Sequence, residues 1–272
     1  MKLTFLGTAA YEGIPALFCN CPHCIQARQL GGKNIRTRSQ TLINDDLLLD
    51  FPPDSYTHFL QNNIEGHKIP YLLVTHSHSD HFYPADLQAR GSVYAHDMAI
   101  PTLEIVGSEG ACRVLDGIRN ELNNITFRPI RPYETQQLGP YTVTALPARH
   151  MAGDNAVFYI IKSDKTVLYA HDTGYFFEEV FDYIRDSKLV FDLVSLDCTF
   201  VDLPVPDESS HMGFENIGRL LKRLEAMGAV TGHTQKILNH FSHNGNPLHE
   251  RIVGCAAQIG CIPTYDGMTV QL

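Results

Sequence analysis

The segment Thr75-His76-Ser77-His78-Ser79-Asp80-His81 carries three imidazoles and a carboxylate within six residues. It follows Tyr71-Leu72-Leu73-Val74, an apolar run of strand character. Imidazole nitrogen and carboxylate oxygen are ligands that zinc, manganese and iron accept. A loop wrapped around a metal at a strand end can aim all four inward, which one face of a helix or strand cannot do.

Other residues with ligand or acid–base chemistry also sit just past strand-like runs. Asp50 closes Leu47-Leu48-Leu49, and His150 lies four residues after Leu146. His171-Asp172 follow Val167-Leu168-Tyr169-Ala170, Asp197 follows Val194-Ser195-Leu196, and His240 follows Ile237-Leu238-Asn239. Loops at strand ends let a rigid scaffold converge such groups, so this repeated placement argues for one site. His233 is the rival to His240, but it lies in a Gly-containing turn and not behind a strand. His171 is expected to point away from Asp172.

A second cluster, Cys19-Asn20-Cys21-Pro22-His23-Cys24, has C-x-C-x-x-C spacing and in a reducing compartment reads as metal thiolates. Cys112, Cys198, Cys255 and Cys261 lie among apolar neighbours and read as small buried hydrophobes. Arg36 and Arg38 read by default as solvated charges, with contact to a substrate anion as the alternative. Asp54 reads either as tuning the turn at Asp50 or as a surface residue, and Tyr83 as a pocket-lining candidate.

These residues need a scaffold. The 272 residues, 44% hydrophobic and 19% charged, suffice for a substantial core. Strands are expected at Leu3–Leu6, Gln40–Ile43, Leu47–Asp50, Tyr71–Val74, Tyr141–Leu146, Ala156–Ile161, Thr166–Ala170, Leu193–Leu196 and Lys236–Asn239. Helices are expected at Glu215–Met227, where Ile217, Leu220, Leu221, Leu224 and Met227 form one stripe, and more weakly at Phe176–Arg185. Mixed strands and helices without a linker predict a layered α/β sandwich folded as one domain over 1–272. No apolar run reaches the roughly 18 residues of a membrane span. Met1-Lys2 leads straight into a strand, so no signal peptide and a cytoplasmic location are expected. The formal charge of −9 argues against a long nucleic-acid partner and leaves room for a small anion held by metals.

The H-x-H-x-D-H motif with the later His, Asp and His resembles the metallo-β-lactamase fold superfamily across nearly the whole chain. The resemblance implies an αββα four-layer sandwich. It assigns His76, His78 and His150 to one metal and Asp80, His81 and His240 to a second, with Asp172 bridging them and Asp50 orienting the loop. Such a ligand set suits two divalent cations, zinc or manganese or also iron, about 3.5–4 Å apart, that activate water as hydroxide.

Phe5-Leu6-Gly7-Thr8-Ala9-Ala10 followed by the cysteine cluster resembles PhnP-type phosphodiesterases and PqqB-type proteins. The PhnP resemblance implies a structural zinc on Cys19, Cys21, Cys24 and His243, and a homodimer. His23 is the rival fourth ligand. Leu196-Asp197-Cys198-Thr199-Phe200 and Ser210-His211-Met212 resemble an acid–histidine pair of the phosphodiesterase branch, which includes tRNA-processing endonucleases. That implies His211 as general acid or phosphate contact and Asp197 as its orienting partner, so that Asp80, Asp197 and His211 are the catalytic candidates. The chain shows no long Gly/Pro/Lys-rich insertion for gripping tRNA. The expected substrate is therefore a small phosphodiester, cyclic or nucleotide-like. The alternatives are hydrolysis of a thioester, lactone or amide, or redox chemistry of the PqqB kind.

Overall fold

Leucine- and valine-rich runs that alternate sides account for two sheets, each with apolar residues on both faces. The structure, a computed structural model, describes residues 1–150 and 153–272. Its strands in chain order are β1 (Lys2–Gly7), β2 (Gln40–Ile43), β3 (Leu47–Leu49), β4 (Tyr71–Val74), β5 (Leu103–Gly107), β6 (Ile125–Pro129) and β7 (Thr135–Leu138). They continue with β8 (Tyr141–Pro147), β9 (Val157–Lys162), β10 (Thr166–Ala170), β11 (Leu193–Asp197), β12 (Gln235–Asn239), β13 (Ile262–Pro263) and β14 (Met268–Gln271). Helices are α1 (Pro22–Leu30), α2 (Ser55–Gln61), α3 (Glu109–Gly117), α4 (Glu178–Asp186), α5 (Phe214–Ala226) and α6 (His249–Gln258).

The strands form two seven-stranded sheets, in the orders β14-β1-β2-β3-β4-β5-β6 and β13-β12-β11-β10-β9-β8-β7. In the first, β14, β1, β2 and β3 pair antiparallel, and β3 through β6 run parallel. The second mirrors this, with β7 to β10 antiparallel and β10 to β13 parallel.

Alternate side chains fill the space between the sheets: Leu3, Phe5, Leu47, Leu49 and Leu73 meet Tyr141, Val143, Tyr159, Tyr169 and Ile237. The intervening residues face outward under helices, as a period of two requires. Leu48, Leu72 and Val74 pack with Ala111 and Leu115 of α3, whereas Leu168, Leu196 and Leu238 pack with α4, α5 and α6. The result is the αββα sandwich. In α5 the stripe Ile217, Leu220, Leu221 and Leu224 is buried, each such side chain being worth roughly 1.5–3 kcal/mol of apolar burial.

Several expectations are corrected. The strand at Leu47 stops at Leu49 because Asp50 turns into the left-handed region at φ 63°. The helix expected from Phe176 starts at Glu178; Phe176 itself stacks on Phe158 with ring centroids 4.7 Å apart. Cys112, Cys198 and Cys261 are buried, but Cys255 on α6 is only half-buried. Arg36 is no solvated charge: it is 2% exposed, and its Nη1 donates to Thr8 Oγ1 and the Thr264 carbonyl at 2.8 and 2.7 Å. Strands β5, β6, β7, β13 and β14 and helices α1, α2, α3 and α6 are not apparent from sequence pattern. The edge strands β6, β7 and β14 are half-polar, and β13 has only two residues.

Candidate metal centre

The ends of β3, β4, β10, β11 and β12 converge on one edge of the sandwich, where parallel strands present their carboxyl ends. Asp50, Asp172 and His240 each leave their strand with positive φ, 63°, 50° and 63°, which turns the side chain sharply toward that edge.

Donor atoms from four residues, His76, His78, His150 and Asp172, lie within 4.8 Å of one another, as do those of Asp80, His81, Asp172 and His240. Asp172 sits between the sets. Its Oδ2 is 3.1 Å from His76 Nε2, 3.0 Å from His81 Nε2 and 3.5 Å from His150 Nε2, and its Oδ1 is 3.2 Å from His240 Nε2. Ring nitrogens also face one another, His76 Nε2 to His78 Nδ1 at 3.0 Å, His150 Nε2 to His78 Nδ1 at 3.1 Å and His81 Nε2 to His240 Nε2 at 3.2 Å. The buried Asp80 Oδ1 and Asp172 Oδ1 accept no hydrogen bond. Imidazole lone pairs pressed together beside orphaned carboxylate oxygens are unfavourable without a shared cation. The donor set thus fits divalent metal ions.

The outer nitrogens of His76, His81 and His240 are fixed by partners. Asp50 Oδ2 is 2.7 Å from His81 Nδ1, and Asp50 Oδ1 accepts from Thr75 N at 2.9 Å. Thr75 Oγ1 is 3.0 Å from His76 Nδ1. Thr199 Oγ1 is 2.9 Å from His240 Nδ1. Each contact leaves the other ring nitrogen facing the cluster. Asp154, from the distant 153–155 turn, accepts from Ser77 N at 2.9 Å and Ser77 Oγ at 2.7 Å and pins the tip of the loop.

Burial dominates for His150 and holds it down at about 4, and it also lowers His78, so both are neutral donors. Burial opposes charge on His81 too, but Asp172, Asp80 and Asp50 outweigh it and raise its pKa well above the ordinary value. Burial would likewise raise Asp172, yet His240, His81 and His211 hold it well below the usual carboxylate range.

His211 stands beside this cluster. Its Nδ1 is 3.0 Å from Asp197 Oδ2 and 3.2 Å from Asp172 Oδ1. Burial alone would lower its pKa, but Asp197 and Asp172 bring it up to about 9. Asp197 is fully buried at the end of β11 and accepts from Thr199 N and Met212 N at 3.1 and 3.0 Å, which ties the residue next to His211 to the strand end. A Cβ on Gly174 would lie 1.7 Å from the Ser209 carbonyl oxygen, so glycine there permits the 209–211 segment to press against the loop after Asp172.

Three residues past His240, His243 joins Cys19, Cys21 and Cys24, and the four bring donor atoms within 4.8 Å of one another. His243 Nδ1 is 3.6 Å from Cys21 Sγ and 3.5 Å from Cys24 Sγ. Backbone and His243 contacts lower the Cys21 thiol to about 6, while burial pushes Cys24 up to about 11. Three thiols and an imidazole at this spacing suit a tetrahedral zinc.

Among the alternatives, His233 is exposed and remote from these groups. His171 is buried with Nε2 2.7 Å from Ser195 Oγ, turned from the cluster. His23 is not among the thiol cluster's donors. Asp54 binds the Arg38 backbone N and guanidinium at 3.0 and 3.1 Å. Tyr83 does not line the cavity at the cluster. The contacts of Thr199 and Asp154 with the cluster are missed from sequence, since a single hydroxyl or carboxylate far along the chain has no spacing signature. Only the proximity of Asp197 to Thr199 hinted at the first.

Solved structures share the fold over the full chain. A diphosphatase from the PhnP family is 20% identical with a TM-score of 0.74, covering 99% of this chain and 96% of that one. Zn(2+)-bound PqqB from Methylobacterium extorquens is 18% identical with a TM-score of 0.77, covering 100% of both chains. The short form of human tRNase Z is 15% identical with a TM-score of 0.64, covering 100% of this chain and 99% of that one. No curated protein matches the sequence. Residues 47–240, which hold the whole His/Asp cluster, match the family described as the Beta-lactamase superfamily domain, and the chain belongs to that family.

Proposed function

We propose that this protein is a metal-dependent phosphodiesterase acting on small diesters. In this reading His76, His78 and His150 hold one divalent ion, Asp80, His81 and His240 hold the other, and Asp172 serves both. When bound, such ions supply Lewis acidity toward a phosphoryl oxygen and bring the pKa of coordinated water to about 7. Cys19, Cys21, Cys24 and His243 would hold a separate, structural zinc.

The observation that carries the reading is the Asp197–His211 pair on the open side of the cluster, facing a cavity of about 400 Å³. Hydrolysis of a phosphodiester expels an alkoxide, which needs a proton. His211 Nδ1 is occupied by Asp197, so Nε2 is the atom left to donate that proton to the departing oxygen. Asp197 holds the ring in place and favours its charged form. Thr199 joins His211 and His240, so the proton donor and the metal ligand share one hinge of hydrogen bonds.

The test is turnover of bis(p-nitrophenyl) phosphate by protein whose metal content has been assayed. Diester turnover that collapses in His211→Ala at unchanged metal content, most strongly with an alkoxide leaving group as in adenosine 2′,3′-cyclic phosphate, supports the reading. Full metal loading with no diester turnover, or hydrolysis of a thioester or lactone that survives His211→Ala, overturns it.

A further inference from the structure

The cavity above the cluster is walled by Tyr11, Glu12, Ser79, Phe200, Ser242 and Asn244, and among its described lining residues there is no lysine or arginine. Recognition of an additional phosphate ordinarily uses one or more such cations, which meet its oxygens with charge-assisted hydrogen bonds. Among the described lining residues, Glu12 is the only charged side chain outside the His/Asp cluster.

Glu12 is built in. Its Oε1 accepts from Ser242 Oγ at 2.5 Å and from His243 N at 3.3 Å, and lies 3.8 Å from His243 Nε2. The side chain is only 26% exposed. Ser242 follows His240 by two residues and His243 belongs to the thiol cluster, so both donor clusters fix the stretch that clamps Glu12. The carboxylate cannot swing away without giving up these contacts. Its Oε2 has no protein partner among the described residues and remains an acceptor for a substrate hydroxyl. A second phosphate in the same partly desolvated space would meet a fixed like charge instead.

We propose that Glu12 sets the substrate class: diesters with a single negative charge, at the reacting phosphorus, whose remaining groups are neutral and hydroxyl-bearing, with compounds that carry a further phosphate rejected. The proposal rests on the phosphodiesterase reading of the site.

The experiment is calorimetric binding of two product-like ligands, adenosine 3′-phosphate and adenosine 3′,5′-bisphosphate, to the metal-loaded full-length chain. Wild type is expected to bind the monophosphate at least about tenfold more tightly. Glu12→Gln, which keeps an acceptor for Ser242, is expected to cut that preference below about threefold. Asn244→Lys, at an exposed position on the rim, should narrow it too without touching the Glu12 clamp. Circular dichroism and metal content check that both variants are folded and loaded. Equal or tighter binding of the bisphosphate by wild type, or a preference unchanged in both variants, overturns the proposal and leaves the phosphodiesterase reading standing. If neither nucleotide binds while bis(p-nitrophenyl) phosphate is hydrolysed, this proposal alone fails. If neither binds and no diester is hydrolysed, both fail together.

Discussion

Asp50 Oδ2 lies 2.7 Å from His81 Nδ1, and both side chains are fully buried. Asp50 also accepts from the Thr75 backbone and hydroxyl, so one carboxylate aligns both ends of the His-rich loop. Asp50→Asn cannot accept from all these donors at once. It is expected to weaken metal binding at the Asp80/His81/His240 set by about 10–100-fold, the range usual for loss of a ligand's outer partner. Metal titration followed by mass spectrometry of bound ions checks this, and unchanged affinity for both ions would show that the loop holds itself.

His211→Ala removes the proton donor but no proposed metal ligand. The expected loss in kcat on a diester that expels an alkoxide, such as adenosine 2′,3′-cyclic phosphate, is about 10²–10⁴-fold, the usual worth of a positioned general acid. A diester with a better leaving group needs less help from an acid, so the deficit should shrink as the leaving-group pKa falls. A deficit independent of the leaving group would reassign His211 to phosphate binding.

Cys24→Ser should remove one equivalent of zinc and leave two other ions in place. An ion held at a hundred times its Kd stabilises the native state by about 2.7 kcal/mol. For a chain of this size that corresponds to roughly 5–10 °C in Tm. Scanning calorimetry with parallel metal analysis measures both, and a variant retaining full zinc and full Tm would refute the site.

His249 gives a pH dependence remote from the metal centre. Its Nδ1 accepts from Arg36 Nη2 at 3.2 Å, a contact that requires the neutral ring. Burial and then the Arg36 and Lys33 charges lower its pKa to about 4. The folded value lies below the unfolded one near 6.5. The stability tied to the neutral ring is therefore fully present above about pH 6.5 and declines as pH falls toward 4. Between pH 7 and 5 the decline should be roughly 1–2 kcal/mol. Comparing Tm against pH for wild type and His249→Gln isolates it, because the variant lacks this component.

The metal cluster was legible because its residues are chemically distinctive and each follows a strand that apolar runs reveal. Asp50, Asp172 and His240 needed no knowledge of their backbone angles to be suspected. The burial of Arg36 is not legible, because nothing in a neighbouring pattern says that Thr8, Thr264 and His249 will assemble around it from remote parts of the chain. The helix α1 was hidden for a related reason. It begins inside the cysteine cluster with Pro22 at its first turn, and its buried residues are only Cys24 and Ala27, too few to make an apolar stripe. Edge strands such as β7 stayed invisible because Thr135-Gln136-Gln137-Leu138 buries only Leu138.

Positive φ at Asp50, Asp172 and His240 has an evolutionary corollary. A side chain in the left-handed region costs roughly 1–2 kcal/mol relative to the right-handed one, a cost that glycine escapes and asparagine tolerates best. At those three positions the chain would gain from relaxing, and there too it can least change. Laboratory selection for heat resistance alone, with metals withheld, should therefore drift toward glycine or asparagine at 50, 172 and 240. The sandwich would outlive its own chemistry, leaving a sturdier scaffold with an emptied edge.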